Sequence, residues 1–220
     1  MSISIAIDGP AGAGKSTIAK AVSKHLGIIY LDTGAMYRAV GLACLKAGID
    51  PNDKEAVIGC LNGIELEVVY DAGVQKIILN GEDITGFIRT QEVGQAASDV
   101  AVIPKVRLKL VDMQREIAKK SSIVMDGRDI GTYVLPNAEY KFFLIASSGE
   151  RAKRRFLELG DKSDKTVEEI EQEILARDKN DSSRSFAPLM QAQDALLVDT
   201  TYMSIQDVLD YVISICGGEK

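Results

Sequence analysis

The stretch Ser4-Ile5-Ala6-Ile7-Asp8-Gly9-Pro10-Ala11-Gly12-Ala13-Gly14-Lys15-Ser16-Thr17 contains the spacing G-x-x-x-x-G-K-[ST] from Gly9 to Ser16. A short apolar run, Ile3 to Ile7, precedes the glycines, and a helical pattern begins near Lys15. Strand, loop and helix in that order are the context a phosphate-binding loop requires. Glycines let backbone N–H groups turn inward and approach phosphate oxygens, and the helix N-terminus adds partial positive charge. The pattern therefore assigns Gly9, Pro10, Ala11, Gly12, Ala13, Gly14, Lys15, Ser16 and Thr17 to the phosphates of a nucleoside triphosphate. Lys15 is expected to reach the β- and γ-phosphates, and the Ser16 hydroxyl to ligate Mg²⁺. A glycine-rich turn that merely joined a strand to a helix would not need this spacing.

Composition narrows the classes around that loop. The chain has 220 residues, which suits one domain with insertions at about 150 residues per domain. Its apolar fraction of 46% is ample for a buried core, and a net charge of −6 argues against a nucleic-acid polymer as partner. Positive charge must then be gathered locally wherever phosphates are held. The N-terminal apolar run ends at Asp8, too short for a signal peptide or a membrane span. Cys44, Cys60 and Cys216 are scattered without a C-x-x-C, so a reduced, cytoplasmic setting is expected. The single histidine, His25, sits beside the helix-stop glycine Gly27, where a cation is favourable on its own. That leaves no material for a zinc site or a Cys-His nucleophile, and any metal should take oxygen ligands.

Following the chain, Ile28 to Leu31 reads as a strand, with Thr33 as N-cap of a helix running to about Ala47. Met36, Val40 and Leu45 recur at helical spacing and should pack inward. Tyr37 and Arg38 fall at the start of that helix, near a strand's carboxyl end, where open α/β sheets bind ligands. By pattern alone, a packing Tyr and a solvated Arg fit equally well. Over residues 63–86 the periodicity changes, and two alternating runs joined through Asp71-Ala72-Gly73 read as an inserted antiparallel hairpin. Thr90 to Lys120 is helical, with Pro104 in the first turn of a second helix whose Val106, Leu110, Met113 and Ile117 form the inward stripe. Arg107 lies beside that stripe, and the pattern directs it to water.

Ser122 to Met125 is a short buried strand closing at Asp126-Gly127-Arg128-Asp129-Ile130-Gly131-Thr132. An acidic residue ending a strand beside a phosphate loop suggests the Mg²⁺-side carboxylate, Asp126. Tyr140 to Ile145 gives another strand. The run Glu150-Arg151-Ala152-Lys153-Arg154-Arg155 concentrates base and continues into polar Gly160 to Lys165. It reads either as a solvated helix face or as a lid, about 151–166, that closes over transferring phosphates and excludes water. Beyond Thr166, Arg177, Asp181 and Arg184 fall on one helical face if the helix persists, and a surface-type ion pair would account for two of them. An Ala195 to Val198 strand and a last helix finish the chain. The alternation of strands and helices predicts a three-layer α/β fold: a mainly parallel sheet, helices on both faces and the small hairpin insertion.

These segments together resemble bacterial cytidylate kinases, within the nucleoside-monophosphate kinases. The resemblance rests on the phosphate loop, Leu31-Asp32-Thr33-Gly34-Ala35-Met36-Tyr37-Arg38, the hairpin insertion, Asp126 to Thr132, and Arg177-Asp178-x-x-Asp181-x-x-Arg184. It implies a P-loop kinase fold in one domain, 1–220, and transfer of the ATP γ-phosphoryl group to CMP or dCMP with Mg²⁺. Carried over, Thr33, Ser98, Arg107, Arg128 and Asp129 surround the cytosine and monophosphate, and Tyr37 and Arg38 line the same pocket. Arg177, Asp181 and Arg184 meet the sugar and phosphates. Lys15, Arg128, Arg154, Arg155 and Arg184 supply the catalytic charge, Ser16 and Asp126 face the metal, and a monomer is expected. Such transfer needs alignment and charge neutralisation rather than a base, because the accepting phosphate oxygen is already ionised.

Two rival readings remain open on the residues. A regulatory GTPase would need a guanine-reading N-K-x-D, which is absent; Asp83-Ile84-Thr85-Gly86 spells D-x-x-G but follows the hairpin. A P-loop kinase of another monophosphate or of a small metabolite is the nearer alternative.

Overall fold

The computed structural model describes residues 2–160 and 164–217, so the middle of the expected lid, 161–163, lies outside the described residues. The chain divides into two compact units, Met1–Ile29 with Ser122–Lys220, and Tyr30–Ser121.

The first unit is built on β1 (Ser4–Asp8), whose last four residues are all buried. Such a strand suits the interior of a parallel sheet, covered on both faces. β6 (Ile123–Gly127) pairs with it on one side and β7 (Tyr140–Ile145) on the other, both parallel, with Ile5 opposite Val124 and Tyr140. β8 (Leu196–Asp199) adds in parallel to β7. β2 (Ile29–Asp32) is the fifth strand of this sheet, and its first residue, Ile29, donates its N–H to the Ser122 carbonyl.

Helix α1 (Lys15–Leu26) follows the loop and ends at Gly27, whose φ of 65° is the left-handed cap the sequence signals. It packs on β6 and on α8 (Ile205–Cys216). α6 (Ser148–Leu159) and α7 (Val167–Ser182) pack together through Ala152, Ile170 and Ile174. Thr166 and Glu169 form a reciprocal capping box at the start of α7. The segment after Asp129 is a π-helical turn, Ile130–Val134.

In the second unit, α2 (Thr33–Lys46) is capped not by Thr33 but by Asp32, whose carboxylate accepts from the Ala35 N–H at 2.9 Å. Thr33 is thereby drawn into the first helical turn and buried. The expected hairpin is present as β3 (Leu66–Asp71) and β4 (Val74–Leu79), closed by Ala72 and Gly73 at φ 48° and 79°. Two consecutive positive φ values give the tight turn whose twist matches antiparallel strands. Asn80 and Gly81 repeat the device and add a short third strand, β5 (Glu82–Asp83).

A further helix, α3 (Lys54–Leu61), capped by Asp53, has no counterpart in the sequence reading. α4 (Gln91–Val100) packs closely on α2, where a Cβ on Gly41 would lie 2.9 Å from the Ala97 nitrogen. Helix α5 (Pro104–Ala118) begins at Pro104 as expected, but its buried face is Val106, Arg107, Leu110, Val111 and Gln114. The face is rotated from the expected stripe, and Arg107 points inward at 1% exposure instead of into water.

Candidate active site

In the first unit the phosphate loop turns immediately after β1. Gly9 has φ 144°, and a Cβ there would sit 2.0 Å from the Leu144 carbonyl oxygen, so only glycine fits. Gly14 is the N-cap of α1 in the left-handed region, with φ 85° and no side chain to claim the helix's first N–H groups. The loop's shape and the uncapped start of α1 thus come from the same glycines.

The side chains gathered around that loop are strongly charged and mostly buried. Lys15 is 5% exposed, and its Nζ donates to the Pro10 carbonyl at 2.6 Å. Burial first, and then the nearby Arg128, push its ammonium well below the usual lysine range, with Asp126 acting in the opposite sense. Ser16 Oγ donates to Asp126 Oδ2 at 2.7 Å, so the hydroxyl and the carboxylate expected at a metal stand side by side. Arg128 Nε donates to Asp181 Oδ2 at 2.7 Å, and Arg184 donates to the other oxygen of the same carboxylate. Asp181 is 2% exposed, so this is a buried triad and not the surface ion pair expected from helical spacing. Burial alone would raise the Asp181 carboxyl, but Arg128, Arg184 and Arg177 together hold it below the usual carboxylate range. α7 ends at Ser182, so Arg184 reaches Asp181 from beyond the helix, not from its continuing face.

Asp129 is buried, and its backbone carbonyl accepts from Tyr133 and Val134 in the π-helical turn. The same turn is anchored by Asp8, which accepts from the Ile130 and Gly131 N–H groups at 2.8 and 2.7 Å. Burial pushes the Asp8 carboxyl up to about 6, against the pull of those two donors.

The basic run of α6 splits three ways. Arg151 is buried, donating to the Ala146 and Ala11 carbonyls and to Asp178. Arg154 lies beside the loop: a Cβ on Gly14 would be 3.9 Å from its Nη1. It donates to Glu150 and to the Thr200 hydroxyl and carbonyl. Arg155 pairs with Glu158 at the surface. The sequence reading missed Asp8, Arg151, Asp178 and Thr200 as site residues. Arg151 and Asp178 did lie inside quoted motifs, and Asp8 is the last strand residue before the loop.

The second unit collects its own subset. Arg107 lies over the Tyr37 ring, with Cζ 5.5 Å from the centroid, and Nη1 donates to the Ala101 carbonyl. That distance is within cation–π range. Arg38 donates to the Ile88 and Thr90 carbonyls and lies against Gly94 of α4. Ser98 is buried one turn further along α4, and Thr33 is buried on α2. Tyr37 and Arg38 are both half-buried, neither a core tyrosine nor a fully solvated arginine.

A family model described as cytidylate kinase matches residues 5–217 of this chain. The chain belongs to the cytidylate kinase family. A cytidylate kinase from Caldicellulosiruptor bescii is 53% identical over 214 residues, covering 97% of this chain and 95% of the relative. One from Clostridioides difficile is 51% identical over 211 residues, covering 96% of each. Among solved structures, an uncharacterized protein from Eubacterium ventriosum superposes with a TM-score of 0.56 at 13% identity, covering 99% of both chains. Shikimate kinase from Bacteroides thetaiotaomicron superposes with a TM-score of 0.50 at 15% identity, covering 98% of both. These two likenesses speak to the fold alone, and it is the P-loop kinase fold that the resemblance implied.

Proposed function

We propose that this member of the cytidylate kinase family transfers the γ-phosphoryl group of ATP to CMP and dCMP, giving the corresponding diphosphate and ADP. The observation that carries the phosphoryl-transfer half of this reading is the loop of Gly9 to Thr17, with buried Lys15 and Asp126 and half-buried Ser16 converging beside it. The cytidylate half rests on family membership.

Lys15 leaves the Pro10 carbonyl for the β- and γ-phosphates when ATP enters. Arg128, Arg184 and Arg177, grouped around Asp181, face charge that accumulates on the transferring phosphoryl group. Arg154 and Arg155 belong to a lid of about 151–166, and closure of that lid excludes water. By the family resemblance, Thr33, Tyr37, Arg38, Ser98 and Arg107 bind the monophosphate nucleotide, and Asp129 reads the cytosine amino group. The whole chain acts as one kinase domain with an inserted lobe at about 63–86, working as a cytoplasmic monomer. Among the described residues no helix is long and apolar enough to cross a membrane.

Ser16 and Asp126 fit Mg²⁺. Their oxygens are adjacent, and among the described residues no group of three His, Cys, Asp or Glu forms a protein cage. Mg²⁺ keeps waters and substrate phosphates as most of its ligands, so a hydroxyl and one carboxylate suffice. Held by Ser16 and Asp126, it would offset the negative charge of the ATP phosphates.

An ADP-release assay across the ribo- and deoxyribonucleoside monophosphates tests the reading. CMP and dCMP should turn over fastest. ATP-dependent turnover of a different monophosphate or a small metabolite, with CMP inert, would replace it.

A further inference from the structure

The backbone groups of a phosphate loop normally face the nucleotide, yet both hydrogen-bonding groups of Ala11 are held by side chains from elsewhere in the first unit. Its N–H donates to Asp178 Oδ1 at 3.0 Å, and its carbonyl accepts from Arg151 Nη1 at 2.8 Å. The two side chains are themselves joined, Arg151 Nη1 to Asp178 Oδ2 at 2.5 Å, with side-chain exposures of 7% and 16%. Arg151 Nε is spent on the carbonyl of Ala146, the first residue of the link between β7 and α6. The stem of Arg151 lies against the next loop residue, since a Cβ on Gly12 would be 3.1 Å from the Arg151 Cβ.

Arg151 stands on α6 and Asp178 on α7, the two helices that pack on each other through Ala152, Ile170 and Ile174. A buried arginine and aspartate facing each other would be satisfied as a simple ion pair. Here each also makes a hydrogen bond to the same loop residue, which no packing requirement demands. The contact fixes the orientation of Ala11, and so the path by which the next residues, Gly12 at φ 76° through Gly14 at φ 85°, aim their N–H groups.

We propose that Arg151 and Asp178 are positioning residues that clamp the Ala11 backbone and preset the phosphate loop for the ATP phosphates, tying the loop to the α6–α7 pair. Neither touches the transferring group. They act through the loop, so their loss should weaken donor-nucleotide binding and leave monophosphate binding intact. The inference rests on the ATP-dependent reading above, but its main readout is independent of which acceptor is used.

The test is equilibrium titration of the full chain with ATP, wild type against Asp178→Ala, Asp178→Asn and Arg151→Lys, alongside KM for ATP and for CMP. Asp178→Ala should raise the Kd for ATP by about tenfold, as for loss of charge-assisted bonds that hold a site. Asp178→Asn keeps one oxygen acceptor for the Ala11 N–H but turns an NH₂ towards Arg151 Nη1, losing both the charge and the second acceptor, so it should also raise the Kd for ATP. Arg151→Lys keeps the charge but not the fork that reaches two carbonyls and a carboxylate, and should also weaken ATP. KM for CMP should stay within about twofold of wild type, the resolution of such a comparison. An unchanged Kd for ATP in Asp178→Asn and Arg151→Lys overturns the clamp, and so does an equal rise in both KM values. A lowered melting temperature with wild-type Kd makes the pair structural only. If Asp178→Ala does not fold, Asp178→Asn and Arg151→Lys decide. If CMP proves not to be the acceptor, the ATP titration still reads the clamp.

Discussion

The two units hold the arginines assigned to their sites differently, although in the second Arg89 also pairs with the Asp32 carboxylate. In the first, Arg128 and Arg184 share one buried carboxylate, Asp181, and Arg151 is joined to Asp178. In the second, Arg38 rests on the Ile88 and Thr90 carbonyls, and Arg107 on the Ala101 carbonyl and the face of Tyr37. A carboxylate fixes a guanidinium and offsets its charge; a carbonyl or an aromatic ring fixes it by dipole or quadrupole and leaves the net charge in place. The first arrangement suits a site that must hold several cations together before phosphates arrive. The second adds dipole and ring contacts that orient each guanidinium, which suits a pocket that must aim a cation at an anion. The contrast predicts that charge changes in the first unit register mainly in folding, and those in the second mainly in binding.

The largest effect should come from removing the shared carboxylate. Asp181→Ala strands Arg128 and Arg184 beside Lys15, and breaking a buried pair this way costs about 3–5 kcal/mol. Urea unfolding should show it. Arg107→Met keeps most of the buried volume in the second unit and should instead raise KM for CMP about tenfold or more, the loss of one bond to a charged group. If Arg107→Met destabilised the fold as much as Asp181→Ala, the contrast between the units would fail.

Next in size is Lys15→Ala. Losing a preorganised cation at the separating phosphates should lower kcat by about two or more orders of magnitude, from roughly 3–4 kcal/mol. Because Lys15 is buried and its ammonium is already disfavoured in the folded state, unfolding stability should not fall with it. Retained turnover within a factor of a few would remove Lys15 from the chemistry.

Why some of this was legible, and some not, follows from distance along the chain. The phosphate loop, the Gly27 stop, the Ala72-Gly73 and Asn80-Gly81 turns and the Pro104 helix start are decided by neighbours within a few residues. The rotation of α5 is not: Val106, Leu110, Met113 and Ile117 fit a helical stripe, but Arg107 turns inward because Tyr37 and Ala101 receive it. α3 is only eight residues long and buries just Val57 and Leu61, too little periodicity to read. Thr33 lost the cap to Asp32 because either residue can cap, and the choice depends on the backbone at their junction. The candidate site splits the same way. Lys15, Ser16 and Asp126 came from local motifs, whereas Asp178 meets Ala11 across 167 positions and Asp8 meets Gly131 across 123.

Asp8 gives the third prediction, of intermediate size and within the first unit. It accepts two N–H groups with its two oxygens, and Asp8→Asn would turn an NH₂ towards one of those donors. The cost should be about 1–3 kcal/mol for a buried donor left unmatched. The pH dependence has a definite sign. The folded-state pKa of about 6 lies above the ordinary 3.8, so the folded protein binds the proton more tightly. Asp8's contribution to stability is then fully present below the ordinary value and is lost as pH rises through about 6. The stability gap between wild type and Asp8→Asn should therefore widen on acidification from neutral pH towards about pH 4.5, as read by urea unfolding at several pH values. A gap that narrows would mean that the two N–H donors outweigh burial and hold Asp8 ionised.

The smallest folding effect is expected at Arg155. Its pairing with Glu158 is an i,i+3 contact at 2.8 Å between side chains 36% and 70% exposed. Solvent and salt screen such a pair, and it contributes under about 0.5 kcal/mol. Arg154, bonded to Glu150 and twice to Thr200, should cost more when changed to Ala. The difference makes Arg155 the cleaner probe of the proposed lid, because nothing in its loss should disturb the fold. Arg155→Ala is expected to leave the urea midpoint at the wild-type value while kcat falls about tenfold or more, since an arginine that meets the phosphates only on closure acts on the transition state alone. Its KM for CMP should not move. Wild-type kcat in Arg155→Ala, together with a loss in Arg154→Ala that tracks its lowered stability, would make the whole run a helix face that braces Thr200 and is otherwise solvated.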